Sequence, residues 1–123
     1  MVLEQIAPIS GSPLKLMEVP DPQPAAREGR IKVRCCAICR TDLHVIEGEL
    51  PVRKLPLIPG HQIVGVVDAA GEGCRRFRIG QRAGVAWLRK TCGQCPFCHS
   101  GRENLCEVQQ FTGYHADGGL CVG

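Results

Sequence analysis

The sequence predicts a mainly β domain with a few short helices and a compact cysteine-rich lobe, and three observations carry that reading. Only 4% of the residues are aromatic while 15 are glycine and 9 proline, so packing is aliphatic and turns are frequent. Several stretches alternate apolar and polar residues with the period of two expected of a half-buried strand. Four cysteines fall within TCGQCPFCHSGRENLC in the pattern C-x2-C-x2-C-x7-C. With 123 residues, 44% of them hydrophobic, the chain suits one domain able to bury roughly two-thirds of its unfolded surface.

The opening third, through EVPDPQPAAREGR, reads as a wandering surface segment broken by Pro22, Pro24 and Gly29. IKVRCCAIC follows as a strand, with Ile31, Val33, Cys35 and Ala37 on one face and Lys32, Arg34 and Cys36 on the other. RTDLHVIEGEL suits a short helix in which Thr41 is the cap and Leu43, Ile46 and Leu50 form one apolar face. LPVRKLPLIPG is a proline-rich loop. QIVGVVDAAGEG is a strand ending in a glycine turn, and RFRIGQRAGVAW is its partner.

The glycine turn GEGCRR is not a dinucleotide-binding turn. Arg76 stands where a third glycine would be, and a strand follows instead of a helix, so a hairpin is expected. From Trp87 the chain changes character: residues 88–108 form the cysteine lobe, ENLC begins as a helical turn, and TGYHADGGLCVG is turn-rich.

The net charge of +3 is small. The run Arg75, Arg76, Arg78 and Arg82 has only Phe77 for an aromatic, so it reads as a solvated loop, and no nucleic-acid surface is expected. MVLEQIAPIS carries Glu4, no basic region and no long apolar run, which predicts neither an export signal nor a membrane anchor. The chain has 9 cysteines, and in a cytoplasmic location, where thiols stay reduced, the clustered ones are expected to hold metal instead of forming disulfides.

Cys92, Cys95, Cys98 and Cys106 can converge on one zinc ion, and a closed four-sulfur site is structural because no coordination position stays open. An iron–sulfur run of this type would place its fourth cysteine after three residues and before a proline. Here the gap is seven and Glu107 follows. Cys39 and His61 are also suitable zinc ligands, although by themselves they read as well as a small buried residue and a turn histidine. Cys35, Cys36 and Cys74 read as strand or turn residues.

CRTDLH, PGHQIVG, the cysteine cage followed by ENLC, and TGYHADGG occur in an order that resembles the zinc-dependent alcohol dehydrogenases of the medium-chain family, over a span from Pro20 to Gly119. The resemblance implies a GroES-like β-barrel catalytic domain over residues 1–123, with Cys39 and His61 on an active-site zinc and the four-cysteine lobe on a structural one. It implies a proton relay through Thr41 and His44, and places Trp87 at the border of the substrate pocket. The implied reaction is oxidation of a small alcohol to an aldehyde or ketone, with zinc as Lewis acid and NAD(P) as hydride acceptor.

The departures from the family pattern are equally specific. Gln62 follows His61 where a glutamate is usual, which removes a negative charge beside the metal. The family's further zinc-binding cysteine and its Rossmann domain are absent from the 123 residues, and the ending Leu120, Cys121, Val122, Gly123 leaves the family pattern without making Cys121 the missing ligand. The expectation is a truncated catalytic domain, inactive alone, whose partner is a Rossmann domain or another copy. A non-catalytic zinc-binding interaction module is the alternative.

Overall fold

The computed structural model describes residues 1–121. Its strands run in chain order as β1 (Val2–Leu3), β2 (Leu14–Lys15), β3 (Gly29–Ala37), β4 (Gln62–Ala70), β5 (Arg82–Val85), β6 (Leu88–Lys90) and β7 (Gln110–Phe111). Two short helices interrupt them, α1 (Arg40–Ile46) and α2 (Pro96–His99), together with single 3-10 turns at Ile9–Gly11 and Glu103–Leu105. Every ladder is antiparallel: β1 with β2, β3–β4–β5 as the central sheet, and β6 with β7. The described residues hold no Rossmann unit, and no helix among them is long and apolar enough to cross a membrane.

The hairpin expected at GEGCRR joins β4 to β5, with Val66 opposite Arg82 and Ile63 opposite Val85. Strand β3 is half-buried as its alternation requires, but only as far as Val33. Between Val33 and Cys35 the register with β4 slips by one residue. Such a bulge turns every later side chain to the opposite face. Cys36 is therefore the half-buried residue and Cys35 and Ala37 are exposed, the reverse of the sequence expectation.

Helix α1 also differs from its sequence reading. Its cap is Cys39, not Thr41, and it ends at Ile46 because Gly48 follows with φ of 77°, a left-handed conformation that stops the helix. The buried face is Asp42, Val45 and Ile46. Leu50 lies beyond the turn and joins the core from the loop, packing with Trp87 and Phe111 against Val45, Leu57 and Tyr114.

Residues 1–3 and 118–120 meet over the segment that leads into β4. Leu3 pairs with Leu57 through two backbone hydrogen bonds of 2.8 and 2.9 Å. Residues 118–120 run along 58–60, where Gly118 N–H donates to Ile58 O at 2.6 Å and Leu120 N–H to Pro59 O at 3.0 Å. The Met1 ammonium reaches Leu120 O at 2.7 Å. Leu57 is thereby held by β1 and residues 58–60 by 118–120, which fixes the backbone immediately before His61.

Candidate metal centres

The lobe brings Cys92, Cys95, Cys98 and Cys106 together, with all four sulfurs within 4.8 Å of one another. Cys95 Sγ lies 3.5 Å and Cys92 Sγ 3.9 Å from Cys98 Sγ. A tetrahedron with Zn–S bonds of about 2.3 Å has edges of about 3.8 Å, so the cluster is suited to a structural zinc. Local chain geometry explains the convergence. Pro96 opens α2, which carries Cys98 one turn beyond Cys95, and the 3-10 turn Glu103–Leu105 delivers the fully buried Cys106.

Backbone donors also aim inward. Gln94 N–H and Cys95 N–H point at Cys92 Sγ at 3.4 and 3.3 Å, and Cys92 N–H points at Cys106 Sγ at 3.4 Å. The donors from Gln94 and Cys95 favour a charged sulfur and hold the Cys92 thiol down to about 6. A thiolate is the form a metal ligand needs.

A second cluster forms where α1 begins beside β4. Cys39 Sγ and His61 Nε2 stand 3.2 Å apart, near the edge of about 3.5 Å that a tetrahedral ion bound to one sulfur and one nitrogen would require. Asp42 completes the cluster and is 2% exposed. One of its oxygens accepts from His61 Nδ1 at 3.0 Å, and the other accepts the Cys39 backbone N–H at 2.9 Å.

That arrangement fixes the histidine. A carboxylate only accepts, so the His61 proton sits on Nδ1 and the Nε2 lone pair faces the cysteine. Both Asp42 oxygens are occupied by groups belonging to Cys39 and His61, which leaves it orienting those two side chains. The sequence reading passed over Asp42. The available signal was its place three residues after Cys39, where a carboxylate reaches back to close a helix start.

Trp87 meets His61 edge-on, with centroids 4.9 Å apart, and stacks on Phe111 at 4.5 Å and 11°. It walls one side of the histidine. Thr41 is half-buried in the first turn of α1, and its backbone N–H points at Cys39 Sγ at 3.4 Å. His44, in the last turn, directs Nδ1 to Glu49 Oε2 at 2.5 Å, and among the described residues no hydrogen bond joins it to Thr41. Gln62 opens β4 with an exposed side chain. Cys35, Cys36, Cys74 and Cys121 belong to neither metal-capable cluster.

Residues 25–122 match the model of the alcohol dehydrogenase GroES-like domain. The chain is 46% identical to an alcohol dehydrogenase of Geobacillus stearothermophilus, over 87% of this chain and 32% of that one. It is 45% identical to a probable alcohol dehydrogenase, AdhA, of Mycobacterium tuberculosis, over 91% of this chain and 34% of that one. The cobalt- and zinc-bound thermostable alcohol dehydrogenase of Pyrobaculum aerophilum superposes with a TM-score of 0.87 at 30% identity, covering 96% of this chain and 35% of that one. The chain thus spans about a third of the length of these relatives. The family match covers most of the chain, and the chain belongs to the alcohol dehydrogenase GroES-like domain family.

Proposed function

We propose that residues 1–123 are a catalytic-domain portion of a zinc-dependent alcohol dehydrogenase, with residues 88–108 as its structural zinc lobe. The observation that carries this reading is the Cys39–His61 pair, set at metal-ligand distance and held by Asp42. The donor set of one sulfur and one imidazole nitrogen fits zinc, and two protein ligands leave the site short of the closed coordination seen in structural centres. Cys92, Cys95, Cys98 and Cys106 hold the other ion. A zinc ion bound by Cys39 and His61 would supply Lewis acidity toward the oxygen of a small alcohol or aldehyde.

The chain's own residues would handle the proton. Thr41 stands in the first helical turn, its backbone N–H pointing at the Cys39 sulfur, and its hydroxyl can both accept and donate a proton. His44, about a third exposed, passes the proton to solvent. Trp87 limits the space beside His61 and so favours small substrates. Hydride transfer requires NAD(P) and a Rossmann domain, for which the described residues offer no site. The chain alone is therefore inactive, works with a nucleotide-binding domain or in a homo-oligomer, and belongs in the reducing cytoplasm, where 9 free cysteines persist. Gln62, exposed beside the metal pair, carries no charge to modulate it.

Cobalt substitution tests this reading. With cobalt in place of zinc, a small alcohol should change the visible spectrum of the ion at Cys39 and His61, and Cys39→Ala should abolish that response. NAD(P)H production by the chain alone, or an alcohol response that survives Cys39→Ala, would refute it.

A further inference from the structure

We infer that Glu49 is a positioning residue for His44: it biases the imidazole proton toward Nδ1 and so favours Nε2 as the nitrogen that takes a proton. The inference rests on the reading of His44 as a proton carrier. Its support is the way α1 ends.

Leu43 O accepts from Glu47 N–H at 2.8 Å as the last ordinary helical bond. Gly48 then takes its left-handed conformation, and Glu49 N–H reaches back five residues to His44 O at 2.9 Å. That is the six-to-one bond of a Schellman ending, and it seats the side chains of residues 44 and 49 beside each other. An apolar contact usually fills this position. Here it holds a carboxylate and an imidazole, with Glu49 Oε2 2.5 Å from His44 Nδ1.

The turn has little freedom to release them. A Cβ at Gly48 would come 2.4 Å from Ile6 Cγ2, so the reversal is backed by the N-terminal segment as well as by its own dihedral. Both partners are substantially exposed, at 32% and 51%, so the pair adds little to stability. Selecting a tautomer needs far less than stabilising a fold. A coupling of the size found for exposed pairs biases the two neutral forms of His44 by about 3-fold.

The chemical consequence follows from the inventory of imidazole. A neutral ring offers one donor and one acceptor, and a carboxylate can only accept. With Nδ1–H committed to Glu49, Nε2 has the lone pair. An incoming proton is taken at Nε2, and the resulting imidazolium then releases one proton to water.

Long-range 1H–15N NMR of the zinc-loaded 123-residue chain, with His44 assigned by its loss in His44→Gln, tests this directly. Glu49→Ala should move the ratio of the two neutral forms of His44 toward Nε2–H by about 3-fold or more. The helix ending survives this substitution because its bond comes from the residue 49 backbone, so a purely structural Glu49 would leave the tautomer unmoved. An unchanged ratio in Glu49→Ala, or a shift toward Nδ1–H, overturns the inference. Neither outcome depends on turnover: should His44→Gln leave the rate of a dehydrogenase completed with its cofactor domain intact, the relay reading would fall while the tautomer assignment stood.

Discussion

His61 Nδ1 donates to Asp42 Oδ1 at 3.0 Å, with both residues at least 96% buried. The same carboxylate accepts the Cys39 backbone N–H, so one side chain organises both members of the Cys39–His61 pair. Removing it would leave a half-buried N–H and a buried imidazole without partners.

Asp42→Ala should therefore cost about 1–3 kcal/mol of folding free energy, read by urea unfolding. It should also weaken metal binding at Cys39 and His61 by about 10- to 100-fold in a chelator competition. Asp42→Asn keeps one acceptor oxygen and should fall between the two proteins. Equal metal affinity in Asp42→Ala and the unaltered chain would remove Asp42 from the site.

The cage predicts an order of thiol reactivity. Once a chelator has removed metal, Cys92 should be alkylated before Cys95, because backbone donors hold the Cys92 thiol at about 6 while Cys95 is pushed up to about 11. The sign for stability follows from Cys92 being depressed from its ordinary value of 9.0. Its contribution to the metal-free fold is complete above pH 9 and is lost as pH falls through about 6. Mass spectrometry after brief iodoacetamide treatment at pH 7 reads the order, and Cys95 reacting first would contradict it.

His115 should confer acid sensitivity through a different route. Its Nδ1 accepts the Phe111 N–H at 3.1 Å, which requires a neutral ring, and burial followed by the nearby Arg53 charge lowers its pKa from 6.5. A histidine depressed in the folded state contributes stability that is full above pH 6.5 and is lost as pH falls through the lower folded value. Thermal unfolding followed from pH 7.5 to 4.5 should show this decline reduced in His115→Ala. Parallel curves for the two proteins would contradict it.

Gly118 should tolerate no side chain. A Cβ there would stand 1.9 Å from Gly60 O, against the backbone that positions His61. Gly118→Ala should destabilise the fold by about 1–3 kcal/mol, at the level of an overpacked core. It should also lower metal affinity at Cys39 and His61 while sparing the cysteine lobe. Loss confined to the lobe would show that residues 118–120 do not brace the site.

What could be read before folding depended on how local the cause was. Cys92, Cys95, Cys98 and Cys106 were legible because their spacing alone brings the sulfurs together, and β4 and β5 because alternation and a glycine turn fix a hairpin. The facing of Cys35 and Cys36 was not, since the bulge at Arg34 arises from pairing with residues 63–65. Thr41 looked like a cap because threonine commonly is one, whereas Cys39 takes that place with Asp42 closing the turn. The stack of Trp87 on Phe111 joins residues 24 positions apart, and the grip of Glu49 on His44 needs the backward turn at Gly48.

The most direct test counts the metal. The purified chain should bind two zinc equivalents by elemental analysis after dialysis, Cys39→Ala should retain one with the lobe intact, and Cys98→Ala should lose the other. A single equivalent in the unaltered chain, unaffected by Cys39→Ala, would contradict the assignment of a second metal centre to Cys39 and His61.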